Sequence, residues 1–235
     1  MYRLAPETPG VDILTDISDF WTWLHSGALP TALHARFPHL TPDLTRLAAI
    51  GESAGGFLSI QSALLFNRTA RLRAIIAQYP AMHPDMAAFD PTPAQPNAEL
   101  DAVVASYQAK TRAEPDRVVV SAPWPERVDL FVGAIGNGRT RELLGADPEG
   151  RLTFGYALAQ GEEAPPPVWV VQGADDHVVP KAAADELVEK AAREKPGWVV
   201  KYTVREGGGH GFDALNTLED DWIREGVEFF KGYWL

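Results

Sequence analysis

The chain has 235 residues, 46% of them hydrophobic and 23% charged, which fits one α/β domain with enough apolar side chain to bury a core. A formal charge of -11 with scattered Lys and Arg excludes a nucleic-acid-binding face. The lack of any Cys excludes disulfides, a thiolate nucleophile and Cys-ligated metal, and fits a cytoplasmic protein. No apolar run approaches the roughly 20 residues of a membrane span, and "MYRLAPETPG" lacks the basic and apolar regions of a signal peptide.

Strands and helices alternate along the chain, which predicts a mostly parallel sheet covered by helices. Ile13, Leu14, Ile17, Phe20, Trp21 and Leu24 recur at helical spacing, with Gly27 beyond the end. A polar, proline-containing connection, "LHARFPHLTPD", follows. Leu47, Ala48, Ala49 and Ile50 form a short apolar run with no helical stripe, predicting a buried strand, and the segment from Phe57 to Leu65 reads as a helix with one broad apolar face. Ala74 to Ala77 reads as a second strand, ended by Pro80. From residue 81 to 164 the pattern loosens, with prolines at Pro91, Pro93, Pro96, Pro123, Pro125 and Pro165 to Pro167. A stretch this long inside an α/β domain costs entropy to order, so it reads as a functional cap or lid within a single domain of residues 1–235. Alternation then resumes. "PVWVVQGADD" is a third strand ending in an acidic turn, Lys181 to Arg193 a helix, "WVVKYTVREGGGHGF" a fourth strand ending in glycines, and Trp222 to Tyr233 a closing amphipathic helix.

Ser53 stands between the first strand and its helix, within "GESAGG". Gly51, Ser53 and Gly55 make G-x-S-x-G, whose spacing has a physical cause: the serine backbone must take a strained turn to expose its hydroxyl, and the residues two before and two after come too close for bulky side chains. Glu52, Ala54 and Gly56 complete this elbow. A hydroxyl is a poor nucleophile until a base takes its proton, so the elbow predicts a histidine, and the histidine a carboxylate that orients it. His210, late in the chain after three glycines, suits a loop reaching back to Ser53. His25, His34, His39 and His83 stand in ordinary helix and loop contexts, and His177 in a turn. Asp176, at the end of the third strand, is the expected acid, with Asp175 as reserve. The backbone N–H of Ala54 is the expected oxyanion donor.

These residues resemble the hormone-sensitive-lipase-like esterases and lipases of the α/β-hydrolase superfamily. The similarity rests on "YRLAPE" at Tyr2 to Glu7, "GESAGG" at Gly51 to Gly56, "GADDHVVP" at Gly173 to Pro180 and "HGF" at His210 to Phe212. The resemblance implies an α/β-hydrolase fold with a cap over an acyl pocket. It also implies Ser53 as nucleophile, Asp176 as orienting acid, His210 as base, an acyl-serine intermediate resolved by water, and no cofactor; the leading reading is a hydrolase of small or medium acyl esters. In that family, strands and a glycine-rich, histidine-containing loop that supplies oxyanion donors precede "YRLAPE". With Met1 directly before that tyrosine, the expectation is a chain lacking its N-terminal strands, with an open strand edge at Leu47 to Ile50 and each lost donor costing on the order of 10²-fold in rate.

Two other functions are consistent with the same residues. One is an amide or peptide hydrolase using the same triad; the other is a catalytically silent relative that binds a small ligand or partner. Tyr107, Trp124, Phe131, Phe154 and Tyr156 are candidates to line an apolar pocket. His177 with Asp175 and Asp176 lacks the spacing of a metal site, and "GNGR" at Gly136 to Arg139 lacks a phosphate-loop lysine.

Overall fold

The computed structural model describes residues 1–83, 85–89, 97–123, 125–162 and 164–235. Pro91, Pro93, Pro96 and Trp124 lie outside the described residues. In chain order the elements are α1 (Asp12–His25), α2 (Ala28–Arg36), β1 (Leu47–Glu52), α3 (Ala54–Leu65), α4 (Asn67–Ala70), β2 (Leu72–Gln78), α5 (Ala98–Ala113), α6 (Val128–Gly136), α7 (Thr140–Leu144), α8 (Phe154–Gln160), β3 (Val168–Gly173), α9 (Lys181–Glu194), β4 (Val200–Arg205) and α10 (Asp221–Trp234). Short 3₁₀ turns follow at Met86–Phe89 and Phe212–Leu215. No described helix is long and apolar enough to cross a membrane.

The chain divides into two compact units, one of Met1–Ile17 with His83–Tyr156, the other of Ser18–Met82 with Ala157–Leu235. The second holds the sheet. Its four strands run parallel in the order β1-β2-β3-β4. Because each strand pairs with the next in sequence, right-handed crossovers put α3 and α9 on one face, leaving the other to α10. Alternation along β2 and β3 sorts the side chains: Ala74, Ile76, Trp169 and Val171 join Phe230 of α10 in one buried cluster. Ile75, Ala77, Val168 and Val170, each no more than 1% exposed, point to the opposite face. β3 is buried along its whole length, as expected of an inner strand of a parallel sheet.

β1 has β2 on one side, and among the described residues no strand lies on its other side. Ile50, in the apolar run read as a strand with an open edge, is 63% exposed there. The polar, proline-containing connection begins inside a helix that the sequence reading does not include, since α2 occupies residues 28–36. That helix buries no side chain, so it leaves no apolar stripe in the sequence by which to find it.

In the first unit, the "YRLAPE" segment is tied down by charge. Arg127 donates to both carboxylate oxygens of Glu7, at 3.1 and 2.7 Å, and to the carbonyl of Ala5 at 2.8 Å. Burial pushes the Glu7 carboxyl up, but hydrogen bonding and attraction from Arg127 outweigh it and hold the group below its ordinary range. Arg3 bonds Asp12 and Asp16 at the start of α1. Asn97 caps α5 by accepting from the N–H groups of Glu99 and Leu100. Gly133 of α6 lets that helix come close to α5, where an added Cβ would sit 3.0 Å from the carbonyl oxygen of Leu100.

Candidate active site

Ser53 sits between β1 and α3 with φ 52° and ψ -117°, a conformation that costs a side-chain-bearing residue about 1–3 kcal/mol. The end of β2 holds it there. The Ser53 N–H donates to the Gln78 carbonyl at 2.9 Å, and the Ser53 carbonyl accepts from Ala81 N–H at 3.0 Å. The small residues of the elbow are accounted for only in part as the sequence suggests. A Cβ on Gly51 would fall 2.2 Å from the Gly55 carbonyl oxygen, so Gly51 is sterically required. A Cβ on Gly55, however, would meet nothing within 4 Å. The crowded position on the helix side is Gly56, whose Cβ would lie 2.9 Å from Cα of Pro80, because the first turn of α3 packs directly on the end of β2.

The structure brings Ser53, His210 and Asp176 together. His210 Nε2 lies 3.1 Å from Ser53 Oγ, and His210 Nδ1 lies 2.9 Å from Asp176 Oδ2. With its proton on Nδ1, the imidazole donates to the carboxylate and leaves Nε2 free to accept from the serine hydroxyl. The Asp176 side chain is fully buried and that of His210 is 23% exposed. The aspartate's other oxygen accepts from the N–H groups of Val178 and Val179, both at 2.8 Å, and Gln172 Nε2 lies 3.3 Å from Oδ2. Backbone donors thus fix the carboxylate from behind, where a buried charge must be hydrogen-bonded to be tolerated.

Asp175, one residue earlier, is exposed, as is His177. Asp175 contributes its backbone instead, donating to the Gly208 carbonyl at 3.0 Å. That bond requires the end of β3 and the glycine loop to touch: a Cβ on Gly173 would fall 2.2 Å from the Gly208 carbonyl oxygen. Gly173 and Gly208 therefore let the acid's turn and the histidine's loop come within contact distance, whereas a Cβ on Gly207 or Gly209 would meet nothing within 4 Å.

Ala54 opens α3, in the first turn, where amide N–H groups have no partner within the helix. Of the remaining histidines, His25 contacts the Ala70 carbonyl at 3.2 Å, while His34 and His39 are exposed. Among the aromatic side chains considered for a pocket, Phe154 is fully buried and Phe131 is 50% exposed. The Tyr107 hydroxyl donates to the Glu126 carbonyl at 2.9 Å.

Sequence reasoning passed over Tyr79, which is 2% exposed beside the histidine. Its ring meets the His210 imidazole edge-on at 4.8 Å between centroids. Its hydroxyl donates to Glu52 at 2.6 Å and lies 3.0 Å from Asp213. Burial, then hydrogen bonding to Glu52 and Asp213, pushes the phenol well above its ordinary pKa. The available signal is a bulky residue with a polar tip two positions past the apolar run Ala74 to Ala77.

The likeness to known proteins agrees with this architecture. A profile of the alpha/beta hydrolase fold matches residues 1–132. "Probable carboxylesterase M8" of a Phoma species is 31% identical over 241 residues, covering 99% of this chain and 73% of that protein. "Probable carboxylesterase clz11" of Cochliobolus lunatus is 31% identical over 186 residues, covering 76% of this chain and 83% of that protein. Among solved structures, a protein of unknown function from Staphylococcus aureus superposes with a TM-score of 0.62 at 19% identity, over 100% of this chain and 76% of that one. A thermophilic esterase from Thermogutta terrifontis superposes with a TM-score of 0.52 at 17% identity, over 96% of this chain and 64% of that one. By sequence and by fold, the chain belongs to the alpha/beta hydrolase family.

Proposed function

We propose that the protein is a serine hydrolase of carboxylic esters, with Ser53 as nucleophile, His210 as general base and acid, and Asp176 as the orienting carboxylate. The observation that carries this reading is the single imidazole bridging Ser53 Oγ and Asp176 Oδ2, at 3.1 and 2.9 Å. The names of the carboxylesterase relatives support an ester as the substrate class.

The reaction follows from those two contacts. Ser53 Oγ attacks the acyl carbon as its proton passes to His210 Nε2, and the buried Asp176 carboxylate stabilises the imidazolium that forms. Negative charge gathers on the carbonyl oxygen, for which the Ala54 N–H, in the first turn of α3, is the proposed donor. The carbon–alkoxide bond then breaks, and His210 gives its proton to the leaving alcohol. Water repeats the sequence on the acyl-serine: its proton goes to Nε2, its oxygen bonds the acyl carbon, and Ser53 regains a proton as the carboxylic acid departs. We further propose that residues 81–164 form the cap that selects the acyl group. The compact packing of α5 on α6 supports this, since it gives the segment a core of its own.

A fluorophosphonate probe and a panel of nitrophenyl esters test the proposal. The wild-type chain is expected to be labelled and to turn over short acyl esters faster than the matching anilides, and Ser53→Ala to lose both labelling and turnover. A folded wild-type protein that never labels would instead favour the ligand-binding alternative.

A further inference from the structure

The reaction above uses neither Tyr79 nor the acidic side chains around it, yet these groups join the two elements whose spacing the reaction depends on. Glu52 is the residue immediately before the nucleophile. Asp213 lies just past His210, in the 3₁₀ turn that follows it. The Tyr79 hydroxyl stands between them, 2.6 Å from Glu52 Oε2 and 3.0 Å from Asp213 Oδ1. The Asp213 oxygen left over accepts from Gln78 Nε2. The residue pair Gln78–Tyr79 therefore holds the elbow through the Ser53 N–H and Glu52, and the histidine loop through Asp213. The Tyr79 N–H donates to the Val171 carbonyl at 2.6 Å, anchoring the pair to β3.

We propose that Tyr79 is a positioning residue whose hydroxyl, shared between the Glu52 and Asp213 carboxylates, holds the histidine loop at bonding distance from the nucleophile elbow. The proposal rests on the Ser53–His210 reading given above. A phenol carries one proton for two acceptors, so it donates to one carboxylate at a time, Glu52 at 2.6 Å or Asp213 at 3.0 Å, and links elbow and loop by alternating between them. Without the hydroxyl, two like charges face each other across the gap between elbow and loop, and like charges at short range repel. The loop would then be pushed away from Ser53, lengthening the hydrogen bond on which proton transfer depends. The ring alone does not replace this function, because its edge-on contact with His210 sets a distance but supplies no donor.

The test is Tyr79→Phe, which keeps the ring and removes the hydroxyl. On a nitrophenyl ester, kcat is expected to fall about tenfold while KM changes less than about twofold, because substrate binding is untouched and only proton transfer suffers. Adding Asp213→Asn or Glu52→Gln to Tyr79→Phe is expected to restore most of the loss, since either neutralisation removes the repulsion. A residue that serves only as packing would show no such rescue. A second readout needs no turnover: the proton resonance of His210 Nδ1–H, bonded to Asp176, is expected to broaden or shift in Tyr79→Phe. If Tyr79→Phe does not fold, Gln78→Ala removes the other donor to Asp213 while leaving both carboxylates in place; kcat is expected to fall in the same direction, and an unchanged kcat there overturns the brace. A wild-type kcat in Tyr79→Phe, or a loss that neither neutralisation rescues, overturns the brace and leaves the hydrolase reading standing. A wild-type protein that never labels at Ser53 sinks that reading instead, and the His210 resonance alone then decides whether the brace exists.

Discussion

Replacing His210 with alanine is expected to lower kcat for a nitrophenyl ester by about 10⁴- to 10⁶-fold while the protein remains folded. The size of the effect follows from geometry. His210 makes both contacts that matter, 3.1 Å to Ser53 Oγ and 2.9 Å to Asp176 Oδ2, so removing it leaves a neutral hydroxyl with no base and takes the imidazole donor from Asp176 Oδ2. Because the two residues act as one unit, Ser53→Ala combined with His210→Ala is expected to be no slower than either alone. Additive losses in the double variant would mean that Ser53 and His210 work separately, and steady-state kinetics on all three proteins distinguishes the outcomes. Folding should survive, since the imidazole lies in a loop outside the main cluster and its Asp176 partner keeps the N–H donors of Val178 and Val179.

The second large effect lies on the face of the sheet covered by α10. Gly226 of α10 sits directly against Trp169, and an added Cβ would fall 1.9 Å from the indole ring. That ring cannot easily give way. It is 3% exposed, its N–H donates to Thr203 Oγ1 at 3.0 Å, and Trp222 packs on it at 6.2 Å between centroids. Gly226→Ala is therefore expected to cost about 3 kcal/mol or more through overpacking. The unfolding midpoint should fall by roughly 6–12 °C for a chain of this size. Gly232, on the same helix, provides the control. An added Cβ there meets nothing within 4 Å, so Gly232→Ala is expected to stabilise by about 1 kcal/mol through helix propensity. If both substitutions stabilise, Trp169 is not the wall that the packing describes. Thermal unfolding followed by circular dichroism distinguishes these outcomes.

Which parts of this architecture could be read in advance depended on how local their causes are. β2 and β3 are legible because Ala74 to Ala77 and Val168 to Val171 are continuous apolar runs, and a strand buried on both faces leaves that trace. α10 is legible because its apolar positions recur at helical spacing. α2 is not, because nothing it carries is buried. The elbow could be found because strand, glycines and serine are neighbours in the chain. The preference for Asp176 over Asp175 rested on a single residue of spacing, and the structure buries the former and exposes the latter. The roles of Tyr79 and Gly226 were illegible for the opposite reason. Tyr79 bonds Asp213, more than a hundred positions away, and Gly226 is needed only because Trp169 lies opposite. Contacts across the sheet leave no periodicity in either segment.

The bend at Ser53 carries a further consequence. The fold holds the Ser53 backbone in a conformation that only glycine adopts at ease, so a side chain there weakens the fold in return for an exposed hydroxyl. Ser53→Gly should therefore uncouple durability from turnover. Relief of about 1–3 kcal/mol of strain, less about 0.5–1 kcal/mol for the freer unfolded chain, leaves a protein that melts slightly later and hydrolyses nothing.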